Sequence, residues 1–409
     1  MNARTIQILG GATIVLALLA VWAKRDHGGQ SSDERTGGKL YPGLDAKVNL
    51  VTAVEIENKD EQYTLEKKGD AWTIAEKGGY PIQFDKIREI INAIASFEIV
   101  EPKTSKPELY ERLAVQDPKS GSSDPEAANA TRVALRDATG QVLADVIVGK
   151  PNASGESMAS SSLFVRKNGE AQSYEVFGRA TVGGTSTNWL DKEILKIPRE
   201  RVRRVVTTHP DGERLEITKD ERKDENFVAA EMPEGRELKY PAVTDQIGSA
   251  LGYMMFEDVK PVSEVPFDDT GGTGGICEYE TWDGLRVTVK LAQQNEKYYA
   301  QFACTYDPTL RVEPSTVTPP PAPPEGEGEP PPPAEEPLAA EEQVRAEAEK
   351  LSQKLAPWAF EIPGYRAKNF EMRIEELLKP LEAPAPAPVP PDEPPPPTDG
   401  GNGDGQGGG

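Results

Sequence analysis

Tyr80-Pro81-Ile82-Gln83-Phe84-Asp85-Lys86-Ile87 returns 160 residues later as Tyr240-Pro241-Ala242-Val243-Thr244-Asp245-Gln246-Ile247. Tyr, Pro, Asp and Ile keep their places. Similarity at a fixed offset marks a repeated supersecondary unit. Further on, Ile91 aligns with Leu251 and Ile94 with Met254. Upstream, Val51-x-x-Val54-x-Ile56 resembles Val202-x-x-Val205-Val206, and Trp72 stands roughly where Phe227 does.

Both copies read alike. Short β-runs open each one: Val54–Ile56, Gln62–Leu65 and Trp72–Ile74, then Arg203–Thr207, Arg214–Thr218 and Phe227–Ala229. A helix follows, with Asp85 and Asp245 as expected N-caps, since a short acceptor satisfies free N–H groups. Apolar residues at helical spacing (Ile87, Ile90, Ile91, Ile94; Ile247, Ala250, Leu251, Met254) give each helix one face to pack on a sheet. Strands resume at Arg132–Leu135, Val142–Val148, Leu163–Arg166 and Tyr174–Phe177, then at Ile276–Thr281, Leu285–Leu291 and Tyr298–Thr305. Trp189 and Trp358, each followed by apolar residues, close the two copies.

The fold expected is α+β. An N-terminal transmembrane helix precedes two tandem related repeats, each an antiparallel β-sheet with a packed helix. The divisions are an anchor over 1–25, a flexible stalk over 26–44, repeats over 45–198 and 199–380, and a disordered tail over 381–409. The second repeat holds a proline-rich insertion at 314–337, from which a helix at Glu341–Ala356 returns the chain.

Composition supports this division. Of 37 prolines, 20 fall in Pro314–Pro337 and Pro384–Pro397. A net charge of −22 argues against nucleic acid as a partner, because phosphate contacts need clustered Lys and Arg. Two histidines, His27 and His209, leave no room for a His-based zinc cluster. No cofactor is expected.

Ile6 to Ala23 is uncharged for 18 residues, about 27 Å as a helix, with Arg4 before it and Lys24-Arg25 after. It reads as a single-pass anchor in the cytoplasmic membrane, N-terminus inside and the bulk of the chain outside. Val21-Trp22-Ala23 keeps a cleaved signal peptide as the alternative. Gly10-Gly11 offers a place for close helix packing.

Little of the remainder suggests chemistry. Cys277 and Cys304 lie in an expected three-strand meander. Pairing Cys277 with Lys290 and Leu285 with Cys304 sets them about 17 Å apart along the sheet. That is beyond the ~7 Å limit of a disulfide, so buried thiols are expected. Gly271-Gly272-Thr273-Gly274-Gly275 lacks the Gly-Lys-Ser/Thr ending of a phosphate loop. His209 reads as an exposed turn residue. Trp72, Trp189 and Trp358 read as core. Trp282, beside a turn, and Tyr279 are the candidate ligand or partner contacts.

The order of motifs resembles the bacterial family called domain of unknown function 4340. The residues are Val54-x-Ile56, Tyr63-Thr64-Leu65-x-Lys67, Trp72-x-Ile74, Tyr80-Pro81, Leu109-Tyr110-x-x-Leu113-x-Val115-x-Asp117-Pro118, Ile147-Val148-Gly149-Lys150 and Trp189-Leu190-Asp191-Lys192. The resemblance covers most of Val48 to Pro198. It implies an envelope component associated with ABC-type transport systems of the gliding-motility-auxiliary kind. The function expected is therefore a non-catalytic accessory or scaffold subunit with ABC-type permease and ATPase partners. Two alternatives stand beside it: a cell-wall glycan or small-solute binding module using the cleft between repeats, and an envelope hydrolase.

Overall fold

A computed structural model describes residues 37–120, 130–152, 162–182, 184–267, 274–312 and 337–380. The expected anchor over 6–23 with Gly10 and Gly11, most of the stalk, nearly all of the insertion and the tail lie outside the described residues. Among the described residues, no helix is long and apolar enough to cross a membrane.

The body is mostly antiparallel sheet with a few helices. The first sheet uses β1 (Val51–Glu57), β2 (Gln62–Lys68), β3 (Ala71–Ile74), β4 (Tyr80–Pro81), β5 (Glu98–Pro102), β6 (Thr131–Asp137), β7 (Val142–Pro151), β8 (Ser162–Lys167) and β9 (Ser173–Phe177). Its order is β4-β3-β2-β1-β6-β7-β8-β9-β5. After β10 (Glu193–Leu195) come β11 (Val202–Thr208), β12 (Arg214–Thr218), β13 (Val228–Ala229), β14 (Met254–Met255), β15 (Asp258–Pro261), β16 (Ile276–Thr281), β17 (Leu285–Gln294), β18 (Lys297–Tyr306) and β19 (Trp358–Ile362). The second sheet runs β13-β12-β11-β16-β17-β18-β19-β15, while β10 pairs with β14. Apart from β4, the two orders coincide position by position.

The register coincides too. Val54 lies between Leu65 and Leu135, and Val205 between Ile217 and Tyr279. Each central strand shifts register two residues from its start, between Val51 and Ala53 and between Val202 and Arg204. A bulge re-aims a strand and twists it locally.

The helices are less alike. α1 (Phe84–Ser96) buries Ile87, Ile90, Ile91 and Ile94 as its periodicity requires. Its N-cap is Gln83, and Asp85 instead pairs with Arg88 at 2.9 Å. The second helix stops early. A 3-10 turn over Pro241–Thr244 leads into α2 (Asp245–Gly248), only one turn long. Gly248, Ser249 and Gly252 are poor helix formers. Asp245 does not cap α2: its carboxylate accepts from the Phe227 N–H and from Arg199, both at 3.0 Å.

Three further expectations are corrected. The fold begins before residue 45: Leu40 and Leu44 are buried, and the Leu40 N–H donates to the Phe97 carbonyl. Trp189 and Trp358 are not equivalent, since Trp189 ends a 3-10 turn whereas Trp358 starts β19, the counterpart of β9. The insertion therefore sits between β18 and β19, where the first half has only a short turn. From it α3 (Glu341–Leu355) returns against β18, followed by α4 (Gly364–Glu371) and α5 (Ile374–Leu377). Finally, Cys277 faces Val289 and Cys304 faces Val287. The turn after β16 is wider than two residues, because Thr281 Oγ1 closes it with Asp283 and with the Leu285 backbone. The two cysteines are buried and free, about 12 Å apart by strand spacing and rise.

One apolar cluster runs through both halves. Tyr80 of the first half packs edge-on against Phe256, Trp358 and Phe360 of the second, with centroids 5.7, 5.0 and 6.3 Å away. Lys77 pairs with Asp258 at 2.7 Å. Gly78, at φ +66°, lies so close to Pro261 that an added Cβ would come within 2.3 Å of its ring.

Candidate docking groove

A groove of about 840 Å³ lies at the outer edge of the second sheet, beside β13. Its walls include Phe227 and Val228 of the edge, the Leu238–Pro241 segment, and Lys379. The structural cause is a difference between the halves. In the first sheet, β4 covers the outer edge of β3, with Thr73 opposite Pro81 and Ile74 opposite Tyr80. In the second, the equivalent Tyr240-Pro241 segment turns into the 3-10 helix, so β13 pairs only with β12 among the described residues. Tyr80 is buried; its counterpart Tyr240 is 55 % exposed, and Val228 is 50 % exposed.

The register shows which groups face out. The Ala230 N–H donates inward to the Glu216 carbonyl, so Val228 and Ala230 point to β12 and Phe227 and Ala229 point away. At Phe227 the outward groups are taken: its N–H by Asp245 and its carbonyl by Thr244 Oγ1 at 2.6 Å. The edge is open from Ala229 onward. Opposite it, Leu238 bridges Leu378, the Lys239 N–H donates to the Leu377 carbonyl, and the Lys379 N–H donates to the Glu237 carbonyl. Asp220, Asp224 and Glu225 line the same groove and make it acidic, while Glu237 pairs with Lys379. An exposed strand edge with an aromatic side chain beside it is the geometry that accepts an extended polypeptide.

The candidates from the sequence lie elsewhere. Tyr279 is wholly buried, its hydroxyl donating to the Ile247 carbonyl at 3.1 Å. Trp282 is buried beneath Arg203, and its indole N–H has no hydrogen-bond partner. Neither offers a face to a ligand or partner. Trp72 and Trp189 are core, with Trp189 Nε1 donating to the Tyr63 hydroxyl at 2.8 Å. Burial pushes both cysteine thiols up to about 12, which leaves them almost without nucleophilic thiolate.

His209, expected to be exposed, is buried, with Nε2 3.3 Å from the Met372 carbonyl. It lines a second concavity of about 440 Å³ with Lys368, Glu371, Arg373 and Glu376. Burial, and then the neighbouring Glu376, raise the Glu371 carboxyl above its usual value. Arg373 is committed to Asp211 and Glu213 on the β11–β12 turn. This concavity sets a protonatable carboxyl near an imidazole, but its lining among the described residues includes no serine, threonine or cysteine. Among the described residues, no group of three or more His, Cys, Asp or Glu is placed to hold a metal ion.

Tyr80 and its aromatic neighbours bring the two halves into contact. Sequence reasoning missed the docking groove because Tyr80-Pro81 and Tyr240-Pro241 are nearly identical locally. The one available signal was the Gly248-Ser249 pair, which shortens the second helix.

Fold and groove together define an α+β protein of antiparallel sheets with a groove beside the β13 edge. Residues 72–269 match the family model described as Domain of unknown function (DUF4340). No curated protein and no solved structure matches it.

Proposed function

We propose that this protein is a non-catalytic accessory or scaffold subunit of a membrane-attached transport or motility-related complex. Residues 6–23 anchor it in the cytoplasmic membrane, N-terminus inside and the body on the extracytoplasmic side. ABC-type permease and ATPase subunits are the partners. The body consists of two tandem related repeats, a reading supported by the common strand order and the bulge repeated at Val51/Ala53 and Val202/Arg204.

The observation that carries the reading is the open edge of β13. Its groove is walled by backbone and by exposed Tyr240 and Val228, a surface suited to an extended polypeptide and not to converging acid–base groups. The test is purification from native membranes in mild detergent, followed by mass spectrometry. Permease and ATPase subunits are expected at near-stoichiometric amounts, and Tyr240→Asp together with Val228→Asp should deplete them. A partner-free protein would overturn the proposal.

A further inference from the structure

We infer that the Ala-Pro run of this chain's own C-terminal segment, Ala383 to Pro388, adds as an edge strand along the β13 edge from Ala229 onward, on the side that β4 covers in the first sheet. The inference rests on reading the groove as a polypeptide site and names its occupant.

The chain leaves the described fold inside the groove. Lys379 lines it and is held by its N–H to the Glu237 carbonyl at 2.9 Å. Only Pro380, Leu381 and Glu382 separate that point from Ala383. Three extended residues reach about 10 Å, enough to turn into the adjacent wall. A segment tethered at this distance has an effective concentration in the millimolar range, so weak contacts suffice to seat it.

The alternation Ala383-Pro384-Ala385-Pro386-Ala387-Pro388 supplies the chemistry. In a strand, the N–H and C=O groups of residues i and i+2 point to the same side. One orientation therefore sends the N–H groups of Ala383, Ala385 and Ala387 toward β13 and every proline nitrogen toward solvent. Proline is tolerated in a sheet only where its nitrogen faces away from a neighbour. Each alanine also precedes a proline, which biases it to extended backbone before docking. The solvent side then has no donors, so further strands do not add. In the first half, β4 already places a proline, Pro81, in this position.

Charge selects the same segment. Ala383 to Pro391 is uncharged and is not repelled by Asp220, Asp224 and Glu225. The proline-rich insertion is a poorer fit. It carries Glu325, Glu327 and Glu329 and has no comparable alternation. Its roots are held at the β16–β17 turn: the Val312 N–H donates to the Trp282 carbonyl and Arg311 to the Ala339 carbonyl. With its own tail in place, the edge is masked, and a partner strand must displace the tail to bind.

The test uses the full chain in detergent with a photo-crosslinking amino acid in place of Val228. Intramolecular cross-links to residues 383–391 are expected. Ala385→Pro with Ala387→Pro keeps length and charge but removes two donors, and should lower the yield at least about tenfold. A yield unchanged by that double substitution would overturn strand addition. Cross-links to 314–337, or to the tail of another molecule, would overturn the occupant. A synthetic peptide of residues 381–391 is then offered to a chain ending at Pro380. If the peptide cross-links there while the intact chain shows no internal product, the tail is wrong and the groove reading stands. If neither cross-links, both fall.

Discussion

Arg204 on β11 holds one carboxylate on each of the two neighbouring strands. It grips Glu216 on β12 through two bonds of 2.6 and 2.9 Å and reaches Glu280 on β16 at 3.2 Å. Arg132 makes the comparable grip in the first half, on Asp145 and Glu57. Such paired guanidinium contacts are geometrically specific and stronger than neutral hydrogen bonds. The Arg204 hydrogen bond holds Glu216 below the usual 4.5 despite partial burial. The unfolded chain therefore takes up the proton first as pH falls. The stabilisation is complete above about pH 4.5 and disappears as pH drops through the lowered folded value. Glu216→Gln should cost about 1–2 kcal/mol at pH 7 and progressively less toward pH 2, read from urea unfolding at a series of pH values. A cost independent of pH would show that the carboxylate charge is not what the site uses. None of these partners was legible in the sequence, where 68 acidic residues make any pairing plausible. Tyr80 and Tyr240 make the same point: identical local words, one buried in an aromatic cluster and one exposed.

The two main helices show how far periodicity reaches. Ile87, Ile90, Ile91 and Ile94 predicted α1, and the helix formed there. The same spacing at Ile247, Ala250, Leu251 and Met254 is also buried, yet α2 ends at Gly248. Burial follows the apolar pattern, whereas helix length depends on propensity and on the room available. At Gly248, room decides. An added Cβ would fall 2.2 Å from the Phe227 ring, the side chain beneath the open groove. Propensity alone favours alanine by about 1 kcal/mol. We expect the clash to outweigh it, so that Gly248→Ala destabilises by about 1–3 kcal/mol in thermal or urea unfolding. A stabilised variant would mean that Phe227 moves aside freely. Most strand positions were legible within a few residues from alternation. The exceptions, β4, β5, β10, β14, β15 and β19, are short strands that only their partners define.

At the scale of the molecule, the two sheets share a core. Tyr80 is its pin, with three aromatic neighbours from the other half, and Gly78 lets the backbones close in. Contacts of this kind couple the halves. Calorimetry should therefore show one cooperative transition for the whole body. Tyr80→Ala should cost about 3–5 kcal/mol and lower the melting of both halves together. Two separate transitions in the unsubstituted protein would mean that each half is stable alone.

The sequence by itself determined the strand-rich α+β class, the first helix and the burial of Trp72 and Trp189. Those follow from periodicity, turn residues and composition, which act over a few neighbours in the chain. Only the tertiary structure decided that Leu40 and Leu44 belong to the core, that Tyr80 meets three aromatic rings of the other half, and that Tyr279 and Trp282 are inside. It also decided that β13 lacks the partner β3 has. Each of these depends on residues tens to hundreds of positions apart meeting with enough room, and local pattern carries no record of that room.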